Sequence, residues 1–299
     1  MNTKQLAALF FLAALWGASF LFMRIAAPAI GPVLTIELRV LIAGIVLLLY
    51  AWLFKKTVDI RKYWKEFLVI GALNAALPFT LIATATLHIS ASMAAILNST
   101  TPLFTALASL VFLQEPLTLK KWIAIFMGTF GVSILVGWSP LPFSLETILS
   151  ALFSILAALA YGCAGVYAKK AFVGVSSLSL AIGQQLGAAL VLLPFAASHT
   201  SIKAISPIVV FSVIALAVFC TAIAYLFYFY LLASVGPTKT LSVTFLVPGF
   251  GVIWGMIFLH EKITFGMIVG LIIILSSIFL LSDVKMETPN QTLRRLRAR

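Results

Sequence analysis

The stretch LQEPLT at residues 113–118 recurs as LHEKIT at residues 259–264, 146 positions further along the chain. At the same offset Pro102 corresponds to Pro248. Each copy places a proline in the middle of an apolar segment and a glutamate in the turn that ends the segment. A repeat of this length indicates two related copies of one structural unit.

Composition shows which class of protein could contain such a repeat. Hydrophobic residues make up 63% of the 299-residue chain and charged residues only 9%, whereas a soluble domain carries about 25% charged residues. A helix needs about 20 mainly apolar residues to cross ~30 Å of hydrocarbon. Ten segments qualify: residues 6–26, 33–54, 66–87, 90–113, 119–138, 145–168, 177–197, 207–233, 238–259 and 264–282. We therefore expect an all-α polytopic membrane protein with ten transmembrane helices and the lipid bilayer as its solvent.

The basic residues predict the orientation of these helices. Most of the 20 Lys and Arg residues fall on one side of a ten-helix arrangement, and the loops enriched in them are those that stay in the cytoplasm. We expect both termini in the cytoplasm of a cell-membrane protein. The net charge of +12 lies at helix ends rather than on one face, which argues against a nucleic-acid partner. Residues 284–299 form a basic tail that we expect to be disordered.

The number of helices per copy predicts how the copies are related. The segment LWG at residues 15–17 corresponds to AYG at residues 160–162, so the copies are predicted to occupy residues 1–138 and 139–283. Five crossings per copy is an odd number, so the second copy is upside down relative to the first. Such inverted repeats are a recurring construction of secondary transporters.

Several motifs together resemble a known family. They are WGASF at residues 16–20, ELR at 37–39, AYLFYF at 224–229, and the two proline-centred segments that end in a Leu-x-Glu turn. In this order they resemble the EamA branch of the drug/metabolite transporter superfamily over about residues 5–282. The resemblance implies a ten-helix transporter that often exports amino acids or related metabolites. A broad-specificity drug exporter is the alternative.

The two repeated prolines are candidate kink or gating positions. Proline removes one backbone hydrogen bond and frees the carbonyl four residues earlier, which belongs to Asn98 for Pro102 and to Thr244 for Pro248. Inside lipid such carbonyls must face protein or a watery cavity. Either these sites line an interior path that binds substrate, or each kink is packed and satisfied by local hydroxyls.

Polar side chains inside the third and seventh segments are further candidates. Asn74 and Pro78 lie in the third segment, and Gln184 and Gln185 in the seventh. An amide donates and accepts hydrogen bonds, which suits a zwitterion or a neutral polar solute. Hydrogen bonds between helices would explain these residues equally well.

Aromatic side chains at similar depth could wall a binding pocket. Trp16, Tyr161 and Tyr225 lie inside the first, sixth and eighth segments. Their rings would supply stacking and apolar contact to a small-molecule substrate. The alternative is ordinary helix packing.

Three ionisable residues lie within predicted helices and need partners, because a charge at the bilayer centre is costly. Arg24 and Glu37 are predicted at similar depth, and we expect them to form an ion pair. Arg39 lies about 200° around the helix from Glu37 and points elsewhere, toward a substrate carboxylate or a helix C-terminus. A structural role is the rival interpretation for all three residues. Glu37 is the one acidic residue among them, so transport coupled to protons is also possible.

No catalytic constellation, metal cluster or cofactor motif is found, so we expect no enzyme, metal or cofactor. Cys163 and Cys220 lie in apolar runs and are expected to be small buried hydrophobes. Glycines spaced by four, such as Gly183 with Gly187, allow close helix approach. They pack either within one chain or between chains, so the sequence leaves a monomer and a homodimer equally open.

Overall fold

The computed structural model describes residues 1–138, 144–198 and 205–281, and this part of the chain contains helices and no β-strand. The described residues form eight long apolar helices and two shorter ones. Numbered first to tenth, they are Thr3–Ile30, Pro32–Leu53, Trp64–Ala85, Ala91–Leu113, Leu119–Gly137, Leu145–Ala171, Ser177–Ser198, Pro207–Val235, and the shorter Val243–Leu259 and Phe265–Leu281. The predicted all-α fold with ten transmembrane helices is confirmed. The basic tail predicted at residues 284–299 lies outside the described residues.

The start of the ninth helix differs from the prediction. A short helix, Pro237–Thr240, comes first, and a turn at residues 241–242 separates it from Val243–Leu259. Pro237 stands at the first position of the short helix, where its missing N–H costs no hydrogen bond. The apolar segment that begins at residue 238 therefore contains a break that its hydropathy does not reveal.

Large apolar side chains cover the outside of the bundle. Trp52 is 75% exposed, Phe126 70% and Phe258 59%. In water such a surface would be an aggregation liability, whereas it matches the acyl chains of a bilayer. The apolar surface and the helix lengths therefore both identify the chain as a multi-pass membrane protein.

Equivalent helices of the two halves cross in equivalent ways. A Cβ atom on Gly17 would lie 2.7 Å from Cβ of Phe250, so the first helix touches the backbone of the ninth. A Cβ atom on Gly162 would lie 2.7 Å from the carbonyl carbon of Phe104, which brings the sixth helix as close to the fourth. The first and ninth helices form one pair, the fourth and sixth form the other, and each pair takes one helix from each half.

Two local distortions also recur at the repeat offset. A π-helical turn occupies Ala72–Ala76 in the third helix, and another occupies Val218–Ile223 in the eighth. The fourth helix ends on Gln114 with a φ of 55°, and the ninth ends on His260 with a φ of 52°. The repeat detected in the sequence thus extends to backbone irregularities that no hydropathy pattern encodes.

The glycine faces pack inside the chain. The ring of Phe67 in the third helix lies against Gly183, and the Phe67 carbonyl lies against Gly187. Gly270 of the tenth helix packs on Leu135 of the fifth. These glycine faces therefore pack neighbouring helices together within one chain. The oligomeric state does not follow from this packing.

Candidate functional site

A cavity of about 300 Å³ lies between the two helix pairs, with walls from both halves of the chain. Most of the residues expected at a binding site line it, together with two of the three prolines: Trp16, Arg39, Asn74, Asn98, Tyr161, Tyr225, Thr244, Pro102 and Pro248. The fold thus brings the repeated prolines, the aromatic candidates and most of the polar candidates to the walls of one cavity.

Gln184 stands behind the cavity wall rather than on it. The Asn74 amide donates to Oε1 of Gln184 at 2.6 Å, and Nε2 of Gln184 donates to the Tyr225 hydroxyl at 2.7 Å. Gln184 is 3% exposed. It holds two wall residues from the third and eighth helices in a fixed relation.

Gln185 and Pro78 do not line the cavity. Gln185 is fully buried, and within the described residues its amide nitrogen and oxygen have no hydrogen-bond partner. Pro78 follows the π-helical turn at Ala72–Ala76 and stands at the start of the next helical segment. A role for either residue in binding or gating stays a prediction.

Arg39 is the one charged side chain among the residues that line this cavity. Its Nε donates to the Thr221 hydroxyl at 3.0 Å, and its Nη1 lies 3.8 Å from the Met23 sulfur. Its guanidinium carbon lies 3.7 Å from the centroid of the Phe79 ring. All three contacts are with uncharged groups, so they fix the orientation of the cation without neutralising it.

The fourth helix is interrupted at the cavity. It consists of the segments Ala91–Asn98 and Thr101–Leu113, and Pro102 lies at the start of the second. The Thr101 hydroxyl donates to the Asn98 carbonyl at 2.7 Å, and the Ser99 and Thr100 hydroxyls bond the carbonyls three residues before them. The predicted local hydroxyls therefore satisfy the break, and the break also lines the cavity.

The fourth and ninth helices are held differently at the two ends of the bundle. We call the end where the first helix begins the near face and the opposite end the far face. At the far face the Glu261 carboxylate accepts the N–H of Ala91 at 2.7 Å, the N–H of Ser92 at 3.0 Å and the Ser92 hydroxyl at 2.5 Å. Gly251 of the ninth helix packs on Ala95 of the fourth. The turn after the ninth helix thus caps the start of the fourth.

The near face has a different arrangement. The fourth helix lines the cavity at Pro102, and the ninth helix lines it at Thr244. Glu115, which corresponds to Glu261, pairs with Lys169 of the sixth helix at 2.9 Å. The Glu261 cap therefore joins the ninth helix to the fourth at the far face, whereas at the near face Glu115 bonds the sixth helix.

The predicted ion pair between Arg24 and Glu37 is not formed. Nη1 of Arg24 donates instead to the carbonyl oxygen of Thr86 at the end of the third helix. Oε2 of Glu37 is buried and has no hydrogen-bond partner among the described residues. Equal depth in the bilayer did not place the two side chains on facing surfaces of their helices.

Several residues that line the cavity were not candidates in the sequence, and three of them bear on its chemistry. Phe79 and Thr221 hold Arg39, and Cys220, expected to be an inert buried residue, lines the cavity. Cys220 and Thr221 lie in the π-helical turn of the eighth helix. The repeat carried a usable signal, because Asn74 and Cys220 are equivalent positions and Asn74 was already a candidate.

Comparison with known proteins fits this architecture. The model of the EamA-like transporter family matches the chain twice, over residues 4–137 and 148–283. The chain belongs to the EamA-like transporter family. The resemblance drawn from the motifs is confirmed, and the family model matches each half separately. The division between residues 138 and 139 itself stays a prediction.

Some relatives of this EamA-like chain are named as transporters. It is 26% identical to an uncharacterized transporter, YvbV, of Bacillus subtilis, over 94% of this chain and 92% of the relative. It is 25% identical to protein PecM of Dickeya dadantii, over 96% and 94%. A solved crystal structure matches with a TM-score of 0.66 at 16% identity and covers 96% of this chain and 100% of that one, which supports the fold alone. The family and the relatives point to transport rather than to catalysis.

Proposed function

We propose that this EamA-like protein is a secondary transporter that exports amino acids or related small metabolites by alternating access through the cavity. The observation that carries the proposal is the cavity itself, which is lined by both halves, together with the Glu261 cap that joins the fourth and ninth helices at the far face. We take this joined face to be the closed side of the cavity. A binding site with one closed end fits a carrier, which must never open to both sides at once.

The repeat supplies a physical basis for a second state. In inverted repeats, the contacts that close one face have equivalents at the other, so two packings of similar energy exist. Positions 91 and 92, which Glu261 caps, correspond to positions 237 and 238. In the second state Glu115 leaves Lys169 and caps the backbone N–H of Thr238 or Lys239. Glu261 is released and moves toward Arg24, the equivalent of Lys169.

The basic residues relate this state of the cavity to one side of the membrane. If the near face is cytoplasmic, as the distribution of Lys and Arg predicts, the cavity lies open toward the cytoplasm. An exporter binds its substrate from this side. Both termini then lie on the cytoplasmic side of the cell membrane.

The size of the cavity favours small metabolites over the alternative, a broad drug exporter. Pockets for drug-sized ligands occupy about 300–1,000 Å³, and this cavity is at the lower limit. Its aromatic walls at Trp16, Tyr161 and Tyr225 are the feature that favours the drug exporter. Resistance profiling of a deletion strain against a compound panel separates the two, since only a drug exporter changes many inhibitory concentrations.

The direct test is flux in liposomes that contain the purified protein, with radiolabelled amino acids and metabolites and with or without a proton gradient. Thr244→Trp places an indole in the cavity, and Ile257→Trp places one on the exposed surface of the same helix. We expect saturable flux with the native chain and with Ile257→Trp, and loss of flux with Thr244→Trp. Equal flux through both variants would show that substrate does not pass through this cavity.

A further inference from the structure

This inference rests on the transport function proposed above and narrows its substrates, because the position of Arg39 favours acidic metabolites over zwitterionic amino acids. We propose that the cavity binds a small organic acid with a net charge of −1, whose carboxylate pairs with Arg39 and whose apolar body lies between the aromatic walls. The proposal excludes cations, neutral compounds and zwitterions, because none of them brings a net negative charge to Arg39.

The first step is the isolation of the positive charge. Arg39 is 3% exposed, and no carboxylate among the described residues forms an ion pair with it. The nearest acid in sequence, Glu37, is not among the cavity-lining residues. A buried cation without a counter-ion costs several kcal/mol in a medium of low dielectric constant. A ligand carboxylate would supply the missing charge.

The second step is the preset orientation of the guanidinium. The Thr221 hydroxyl donates to the Leu216 carbonyl at 2.8 Å, so a lone pair of its oxygen faces Arg39 and accepts from Nε. The Phe79 ring covers one face of the guanidinium. Nη2 donates no hydrogen bond within the described part of the chain, and Nη1 has only the weak sulfur acceptor of Met23. The Nη1–Nη2 edge therefore remains available for the two oxygens of a carboxylate.

The third step concerns charges of the opposite sign. No Asp or Glu lines the cavity, and its other polar walls are amides, hydroxyls, one thiol and the indole of Trp16. The ammonium of an amine or a zwitterion would lose its hydration here without gaining a negative partner. A phosphate ester carries about −1.5 to −2 charges at pH 7, which a single guanidinium would leave partly uncompensated. A monocarboxylate matches the charge of the cavity.

Matched ligands test this assignment. Phenylacetate, phenylacetamide and phenethylamine share one ring and differ in charge, while phenylalanine and phenyl phosphate add the zwitterion and the phosphate. Isothermal titration calorimetry on the full chain in detergent should show phenylacetate binding at least about tenfold more tightly than each of the others. The proposal is overturned if any of the four binds as tightly as phenylacetate, or if phenylacetate does not bind.

Three variants test whether the effect depends on Arg39. Arg39→Gln should reduce the preference for phenylacetate over phenylacetamide to about one, while Arg24→Gln, whose parent side chain bonds the Thr86 carbonyl, should leave the preference intact. If Arg39→Gln does not fold, Thr221→Val removes the acceptor of Nε and should weaken phenylacetate more than phenylacetamide. A preference that survives the Arg39 or Thr221 change would contradict the role of this guanidinium.

The outcome is separable from that of the transport test. Arg39-dependent binding of phenylacetate without any flux would support the anion site and count against transport. Flux of neutral or zwitterionic compounds without binding of acids would support transport and overturn the anion site.

Discussion

Glu261 and Ser92 join the ninth helix to the fourth at the far face, where one carboxylate oxygen accepts both the amide and the hydroxyl of Ser92. Glu115, the equivalent of Glu261, pairs with Lys169 of the sixth helix instead. Two equivalent glutamates therefore have different partners in one structure. This asymmetry is the physical basis of the proposed exchange between two states.

The first prediction concerns these glutamates. Glu261→Gln removes the charge that caps the fourth helix, and a hydrogen bond to a charged group contributes about 1.5–3 kcal/mol. The far face should therefore open more often. In a Cys163→Ser background, we expect a membrane-impermeant thiol reagent applied at the far face to label Cys220, which lines the cavity, about tenfold faster.

Glu115→Gln is the matched control for this experiment. Its parent side chain has no part in the far-face cap, so we expect no acceleration of far-face labelling. If both changes accelerated labelling of Cys220 from the far face, the proposed exchange of partners would be refuted.

The second prediction concerns the two close helix crossings. Gly17→Ala and Gly162→Ala each place a methyl group less than 3 Å from the backbone or Cβ of a neighbouring helix. Overpacking of this kind costs about 1–3 kcal/mol. Both variants should lower the thermal unfolding temperature in detergent by several degrees.

Nearby glycines provide the controls for these crossings. A Cβ atom on Gly249 would have no neighbour within 4 Å, and one on Gly165 would meet only the Thr105 methyl at 4.0 Å. Gly249→Ala and Gly165→Ala should leave the unfolding temperature unchanged. A similar loss of stability in all four variants would mean that the cost is not specific to the crossings.

Hydropathy and repeat spacing predicted most of the fold. The ten apolar segments became ten helices, and the equivalence of Glu115 with Glu261 recurs in the matching caps at Gln114 and His260. The predicted start of the ninth helix, residue 238, was wrong because Pro237 begins a separate short helix. Hydropathy is an average over a window and does not detect a two-residue turn.

Many residues that line the cavity were candidates in the sequence, but their contacts were not predicted. Prolines and amides inside apolar segments indicated where polar groups must be satisfied, so Asn98 and Asn74 were named as candidates, and both line the cavity. The partners of Arg39 were missed because a π-helical turn shifts Thr221 out of the ordinary helical register. The partner of Arg24 was missed because depth along a helix does not specify direction around it.

The third prediction concerns Gln184 as a positioning residue. Gln184→Leu removes the bridge between Asn74 and Tyr225, each bond of which contributes about 0.5–1.5 kcal/mol. We expect the KM for transport to rise about five- to thirtyfold with a smaller change in kcat.

Tyr225→Phe tests whether this effect passes through the bridge. It removes only one of the two hydrogen bonds, so its effect should be smaller, and the double variant should be less than additive with Gln184→Leu. Fully additive effects would show that the two residues act independently.

The fourth prediction tests the central claim, that the cavity changes the face to which it opens. The sixth and ninth helices belong to different helix pairs on opposite sides of the cavity. Spin labels at Val173 and Leu241 report their separation at the near face, and labels at Leu145 and Phe258 report it at the far face; all four side chains are more than half exposed.

The decisive measurement is the pair of distance distributions, by double electron–electron resonance in lipid nanodiscs, with and without Glu261→Gln. The account predicts that this change shortens the near-face distance and lengthens the far-face distance in the same population of molecules. Two distances that both stay constant, or that change in the same direction, would contradict it.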